Sequence, residues 1–233
     1  MISFVIPAHN EAELLSRTLS AIDVAARAVG EPWEVIVVDD ASTDRTAEIA
    51  LEHGAQVIAV NHRQIAATRN AGARAAKGDR LIFVDADTMV TVPAVHAAIR
   101  ALRKGAIGGG AMVRFDGPVP LYAQIMERVL LPFFIPLLKL APGCFLFCMR
   151  QAYLAVGGFD ESHYWSEEIT FSSRLKRLGR FVILREFVIT SGRKVRTHSA
   201  LGLLRVGVQL ALGRCNGLDF WYGPRSGECK NEV

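Results

Sequence analysis

Leu81-Ile82-Phe83-Val84-Asp85-Ala86-Asp87-Thr88 runs four apolar residues straight into two carboxylates separated by one small residue. Alternate positions of a strand face the same way, so Asp85 and Asp87 are expected to point together at whatever lies beyond the strand's carboxyl end. Two hard oxygen ligands, with positions left for water and phosphate, are the usual protein share of a magnesium or manganese site that holds a nucleotide. A solvated acidic turn closing a buried strand would read the same on this stretch alone, so the surrounding pattern decides.

Outward from that stretch, residues 1–105 alternate strand and helix signals at short spacing, the pattern of a mostly parallel central sheet with helices on both faces. Strands are predicted at Ile2 to Ile6, Glu34 to Val38, Val57 to Val60 and Leu81 to Val84. Asn10 with Glu13 three residues on predicts the N-cap of a first helix carrying Leu15, Leu19 and Ile22 on one face. Gly54, Gly78 and Gly105 predict left-handed C-caps for the next three. In such a sheet ligands gather beyond the carboxyl ends of the strands, and the polar residues Pro7-Ala8-His9-Asn10-Glu11, Asp39-Asp40 and Asp85-Ala86-Asp87 fall there.

After residue 105 the pattern loosens. Gly108-Gly109-Gly110 reads as a close-packed strand entry, Phe145 to Met149 as a strand, and Gly157-Gly158-Phe159-Asp160-Glu161 as a turn with a hydrophobic plug. Ser166 opens a helix through Glu167-Glu168 to Leu178. The division expected is a single domain over 1–233, with a regularly alternating part at 1–105, a looser part at 106–200 and a helical tail at 201–233.

Composition narrows the classes. With 51% apolar residues, the chain can bury a proper core, and a formal charge of +4 favours anionic partners. The basic residues are scattered, without a nucleic-acid module. A dinucleotide fold needs Gly-x-Gly-x-x-Gly after its first strand, where Ala8 to Glu13 holds no glycine, and no Gly-x-x-x-x-Gly-Lys-Ser/Thr loop is present. Cys144, Cys148, Cys215 and Cys229 form no Cys-x-x-Cys pair and read as reduced thiols, the first two as core. A first strand beginning at Ile2 leaves no room for a signal peptide, so a cytoplasmic location is expected. The apolar runs Val129 to Leu140, broken by Pro132 and Pro136, and Leu201 to Leu212, with Arg205 and Gln209, are too short to span a bilayer. Each is either a core segment or a surface that dips into a membrane.

Together, Phe4 to Glu11, Val35 to Asp44, Arg69-Asn70-Ala71-Gly72, the Asp85-Ala86-Asp87 strand, Gly157 to Glu161, Glu167-Glu168 with Arg174-Leu175, and Thr190 to Arg193 resemble family 2 glycosyltransferases of the GT-A fold. The resemblance covers about residues 2 to 195 in order. It implies transfer of a sugar from a nucleoside diphosphate sugar to an acceptor hydroxyl, with inversion at the anomeric carbon. It also implies that Pro7, Ala8, Glu11 and Asp40 hold base and ribose, that Arg69 lies near the nucleotide, and that Asp85, Ala86 and Asp87 hold ribose and a divalent metal, manganese or magnesium. The family's usual Glu-Asp at the catalytic base is replaced here by Glu167-Glu168.

The chemistry assigns roles among these residues. A metal ligated by Asp87, with Asp85 shared between metal and ribose, stabilises the departing diphosphate. Glu168, Phe171, Leu175 and Leu178 fall on one helical stripe while Glu167 points about 100° away, so Glu168 is expected to be the general base. The alternative for both acids is stabilisation of the helix dipole. Arg193-Lys194 and Arg196 are candidates to meet a phosphorylated lipid acceptor or anionic headgroups at a peripheral membrane contact, and His198 is left outside the metal site. Two other functions fit a metal beside a sugar nucleotide. One is a sugar-phosphate nucleotidyltransferase, which would carry a basic Gly-rich loop after strand one, and the other is a non-catalytic sugar-nucleotide-binding protein.

Overall fold

The computed structural model describes residues 1–138, 141–162 and 167–197. The readings that fall on Ser166, Lys139, Leu140, His198, the run Leu201 to Leu212, Cys215, Cys229 and the 201–233 tail lie outside the described residues. One eight-stranded sheet runs through the rest, in the order β3-β2-β1-β4-β7-β6-β8-β5. Its strands are β1 (Ile2–Ala8), β2 (Trp33–Asp40), β3 (Gln56–Val60), β4 (Arg80–Val84), β5 (Thr88–Met89), β6 (Gly108–Phe115), β7 (Phe145–Met149) and β8 (Phe181–Thr190).

The first four strands pair in parallel. β1 is buried along its whole length, as a central strand covered on both faces must be, and this is why it reads as a nearly continuous apolar run. Beyond β4 the sheet becomes mixed: β7 pairs antiparallel with both β4 and β6, β5 pairs antiparallel with β8, and only β6 and β8 run together. The fold is α/β as expected, with the parallel character concentrated in residues 1–84.

The helices are α1 (Leu15–Val29), α2 (Thr46–Glu52), α3 (Ile65–Ala75), α4 (Val92–Arg103), α5 (Leu121–Ile125), α6 (Leu131–Leu138), α7 (Arg150–Ala155), α8 (Glu167–Leu178) and α9 (Arg193–Thr197). A π-helical stretch, Met126–Leu130, joins α5 to α6. α1 and α4 cover one face of the sheet, with Leu15, Leu19, Ile22, Val95, Ile99 and Leu102 in one cluster with Phe4, Ile6 and Ile82. α3 and α8 cover the other, where Phe83, Phe159 and Phe171 meet with ring centroids 4.2 to 6.2 Å apart. α3 lies so close that a Cβ on Gly72 would sit 2.4 Å from Val5 Cγ1, and only glycine permits that approach.

Several local expectations are corrected. Asn10 does not cap α1: it sits at φ 52°, and its side-chain Oδ1 accepts from the Thr43 amide at 2.8 Å, so it ties two loops together instead. Gly54 and Gly105 take the left-handed conformation, but Gly78 does not, and α3 ends on extended Ala76. Of the run Val129 to Leu140, Val129 and Phe133 are 60% and 65% exposed while Ile135 is buried, so its described part is neither wholly core nor wholly surface. No punctuated apolar run in the sequence marks β8 as a strand.

Candidate active site

The motifs at the ends of β1 and β2 are stitched to each other before they reach any ligand. The Asn10 amide donates to Ser42 Oγ, the Glu11 amide to Thr46 Oγ1 and the Ala12 amide to Asp44 Oδ2. Asp40 is fully occupied in the same way. Its Oδ1 accepts from the amides of His62 and Arg63 at 2.7 and 3.0 Å, and its Oδ2 from the Gln64 amide and Thr68 Oγ1 at 3.3 and 2.9 Å. The carboxylate thereby holds the loop that leads into α3 through its N-cap Gln64, where an anion also complements the helix dipole.

Asp85, Ala86 and Asp87 lie in the turn between β4 and β5, rather than on the strand itself. Backbone bonds fix this turn on both sides: the Asp85 amide donates to the Cys144 carbonyl at 3.2 Å, and the Ser191 amide to the Asp87 carbonyl at 3.2 Å. Both carboxylates reach one cleft of about 460 Å³ at the carboxyl ends of β1, β2 and β4. Pro7, Ala8, Glu11, Asp40, Arg69, Ala86 and Glu168 line the same cleft, so the residues expected to hold nucleotide, metal and the catalytic base are all at it.

Arg69 is the deepest of them. It is 1% exposed, donating through Nη1 to Glu167 Oε1 at 2.8 Å and through Nη2 to Asp85 Oδ1 at 2.8 Å and the Gly143 carbonyl at 3.0 Å. Burial alone would lower its pKa, but the carboxylates of Asp85, Glu167 and Glu168 outweigh that and raise it. Arg69 therefore clamps the β4 turn to the first turn of α8.

That clamp reverses the expected division of the two glutamates. Glu167, not Glu168, lies on the buried stripe of α8, one turn before Phe171 and two before Leu175, while Leu178 is 49% exposed. Glu168 borders the cleft beside Gly143. Burial, then the neighbouring Glu167 charge, push its carboxyl from an ordinary 4.5 up to about 7, against the pull of Arg69. A carboxyl poised there can accept a proton near neutral pH.

Arg193 and His9 make cleft contacts that their sequence motifs do not show, and Gly143 carries no signal in the sequence. Arg193, at the start of α9, pairs with Glu11 through both guanidinium nitrogens and lies 3.1 Å from Asp87 Oδ2. It faces the cleft, whereas Arg196 is paired with Asp116. His9 donates through Nδ1 to the Asp40 carbonyl at 2.7 Å, and Gly143 supplies the carbonyl that receives Arg69.

Among the described residues no group of three or more His, Cys, Asp or Glu stands together as a self-sufficient metal site. Asp85 and Asp87 nevertheless offer hard oxygen donors facing open space, and two carboxylates fit a cation that completes its coordination with diphosphate and water.

Comparison with known proteins places the chain in a family. Residues 3–187 match the model of glycosyl transferase family 2. An undecaprenyl-phosphate 4-deoxy-4-formamido-L-arabinose transferase of Pectobacterium carotovorum is 42% identical over 94 residues, which are 37% of this chain and 28% of that protein's length. A mannosyltransferase from Pyrobaculum calidifontis, solved with GDP-Man and Mn2+, superposes with a TM-score of 0.67 at 17% identity, over 88% of this chain and 59% of that one. The glucosyl-3-phosphoglycerate synthase of Mycobacterium tuberculosis, solved with Mn2+ and UDP-glucose, gives 0.61 at 20% identity, over 92% and 79%. At those identities the two structures speak to the fold alone, which is the GT-A arrangement. With four-fifths of its length accounted for by one family model, this chain belongs to glycosyl transferase family 2.

Proposed function

We propose that this chain transfers a sugar from a nucleoside diphosphate sugar to a lipid-linked acceptor, with inversion at the anomeric carbon. The observation that carries this reading is one buried arginine holding the Asp85-Asp87 turn and the Glu167-Glu168 turn against a common cleft. The donor's base and ribose would lie along Pro7, Ala8 and Ala86, with its diphosphate toward Asp87 and Arg193. Asp85 and Asp87 would hold a divalent cation, which when bound offsets the charge developing on the leaving diphosphate. That both glycosyltransferase structures described above were solved with manganese supports this assignment.

Glu168 is the general base of this scheme. It faces the cleft from the acceptor side, and its position near neutrality lets it take the proton of an attacking hydroxyl while the sugar leaves the diphosphate. Arg69 and Glu167 act by positioning. Arg193 holds Glu11 and Asp87 in place and supplies positive charge where the diphosphate would arrive.

The name of the Pectobacterium relative favours a second acceptor chemistry, a polyprenyl phosphate. A phosphate oxygen is already ionised at neutral pH and needs no base, so the two acceptors make opposite demands on Glu168. The test is a thermal-shift screen of UDP and GDP with manganese, followed by donor turnover with each acceptor class. Ligand binding to the folded state raises the melting temperature by an amount set by affinity. Asp87→Ala is expected to lose the manganese-dependent part of that shift and about 10³-fold in turnover, several kcal/mol of lost charge stabilisation. A folded Asp87→Ala variant with near-normal turnover would refute the assignment.

A further inference from the structure

Leu121, Ile125, Val129 and Phe133 recur every four residues along α5, the π-helical stretch and α6, and are 71, 47, 60 and 65% exposed, with Leu130 beside them at 42%. Ala123 and Ile135, both buried, hold the same segment to the body of the protein. An apolar ridge of this kind on the water side of a helix marks an interaction surface. No helix among the described residues is long and apolar enough to cross a membrane, and Glu127 and Arg128 interrupt this segment, so it suits lying along a bilayer.

Charge beside the ridge identifies what it meets. A second cleft, of about 590 Å³, opens where Pro132 and Pro136 face the sheet, and Arg114 from β6, Arg128 and Arg185 from β8 line it, with Glu127 the one carboxylate there among the described residues. Glu127 Oε2 accepts from the Phe115 amide at 3.1 Å, and Arg114 stacks over the Phe187 ring at 3.7 Å. None of the three arginines forms an ion pair among the described residues. A second copy of this chain, meeting the face through a two-fold axis, would set guanidinium against guanidinium. A phosphate-bearing lipid surface satisfies both features at once, since arginine is suited to phosphate and the ridge to the acyl boundary.

We propose that this face docks the protein on an anionic bilayer, with the Leu121–Phe133 ridge entering the headgroup boundary and the arginine-lined cleft receiving lipid phosphates. The proposal gives the lipid-acceptor reading a location, because Leu131 and Ile135 of the same segment line the sugar-transfer cleft. An acceptor anchored in the bilayer would reach that cleft along the segment's inner side.

The test is co-sedimentation of the full chain with phosphatidylcholine vesicles and with vesicles containing phosphatidylglycerol. Wild type is expected to bind the anionic vesicles and to lose at least tenfold in partitioning at high salt. Val129→Ser/Phe133→Ser should lose at least tenfold on the anionic vesicles, and Arg114→Gln/Arg185→Gln should lose the preference for them. A Phe133→Trp variant, whose fluorescence shifts to the blue on burial in lipid, reads the contact directly. Wild type remaining in solution with both vesicles, equal binding by the variants, or a dimer abolished by the serine pair overturns the proposal. UDP or GDP binding with manganese, measured without vesicles, should be unchanged in all these variants. Its absence from wild type would remove the transferase reading while leaving the docking result standing.

Discussion

The β4 turn and the first turn of α8 each present two acids to one cleft, yet the pairs are used differently along the same line. In each, one carboxylate is committed to Arg69: Asp85 in the turn and Glu167 in the helix. The other is left at the cleft, where Asp87 lies 3.1 Å from Arg193 and Glu168 is pushed up to about 7. Residue type alone does not distinguish the members of a pair. What distinguishes them is which side of the backbone meets a buried guanidinium, and the same cation that neutralises one acid raises the stakes for its neighbour.

The largest expected effect comes from removing the shared cation. Arg69→Met leaves Asp85 and Glu167 facing an apolar group, with Glu167 only 5% exposed, and breaking a buried pair from one side costs roughly 3–5 kcal/mol. Urea unfolding should show that loss, and Arg69→Lys, which keeps the charge but cannot fork between two carboxylates, should fall between the variant and wild type. An Arg69→Met variant as stable as wild type would mean that the two turns are held together by something else. In that case the division of each acid pair described above would fail with it.

The next effect separates chemistry from architecture. Glu168→Gln is expected to keep nucleotide binding and to lose about 10²–10⁴-fold in transfer to a hydroxyl acceptor, the usual worth of a positioned general base. In the wild-type enzyme the hydroxyl rate should climb about tenfold per pH unit below neutrality and level off above about 7, because only the ionised carboxylate accepts the proton. A phosphate acceptor should show neither the loss nor the climb. Equal transfer by Glu168→Gln to hydroxyl acceptors would take the base role from Glu168.

How far this contrast can be read from the chain depends on how local its causes are. β1 to β4 are legible because each is a short apolar run with its own punctuation, and their carboxyl ends locate Glu11, Asp40, Asp85 and Asp87 without knowledge of the rest. Pairing over long separations hides the remainder. β8 is interrupted by Arg185-Glu186 and becomes a strand by lying beside β6 and β5, roughly 70 to 100 residues earlier. Arg193 reaches Glu11 across 182 residues, and no spacing encodes that. The α8 stripe shows the finer limit. Glu167-Phe171-Leu175 and Glu168-Phe171-Leu175 fit a helical period equally well, and the choice is made by Arg69, 98 residues away. Asp40 is legible as a cleft residue, but its hold on the loop before α3 depends on three backbone amides that leave no mark in residue type.

The smallest effect tests the same asymmetry through stability. A carboxyl whose folded-state pKa is raised binds its proton more tightly in the folded than in the unfolded chain, so stability is lost as pH rises from its ordinary 4.5 toward about 7. Glu168→Gln carries no such proton and escapes the penalty. The variant should therefore melt close to wild type near pH 4 and progressively above it toward pH 8, by about 1–3 kcal/mol once solvent screening of a half-buried group is allowed for. Glu167→Gln should instead be less stable than wild type at neutral pH, because it removes the charge that Arg69 requires. Opposite signs from adjacent glutamates, measured by calorimetry at two pH values, would establish that one is held as structure and the other is kept under tension for use. Matching signs would show that both acids serve the same end.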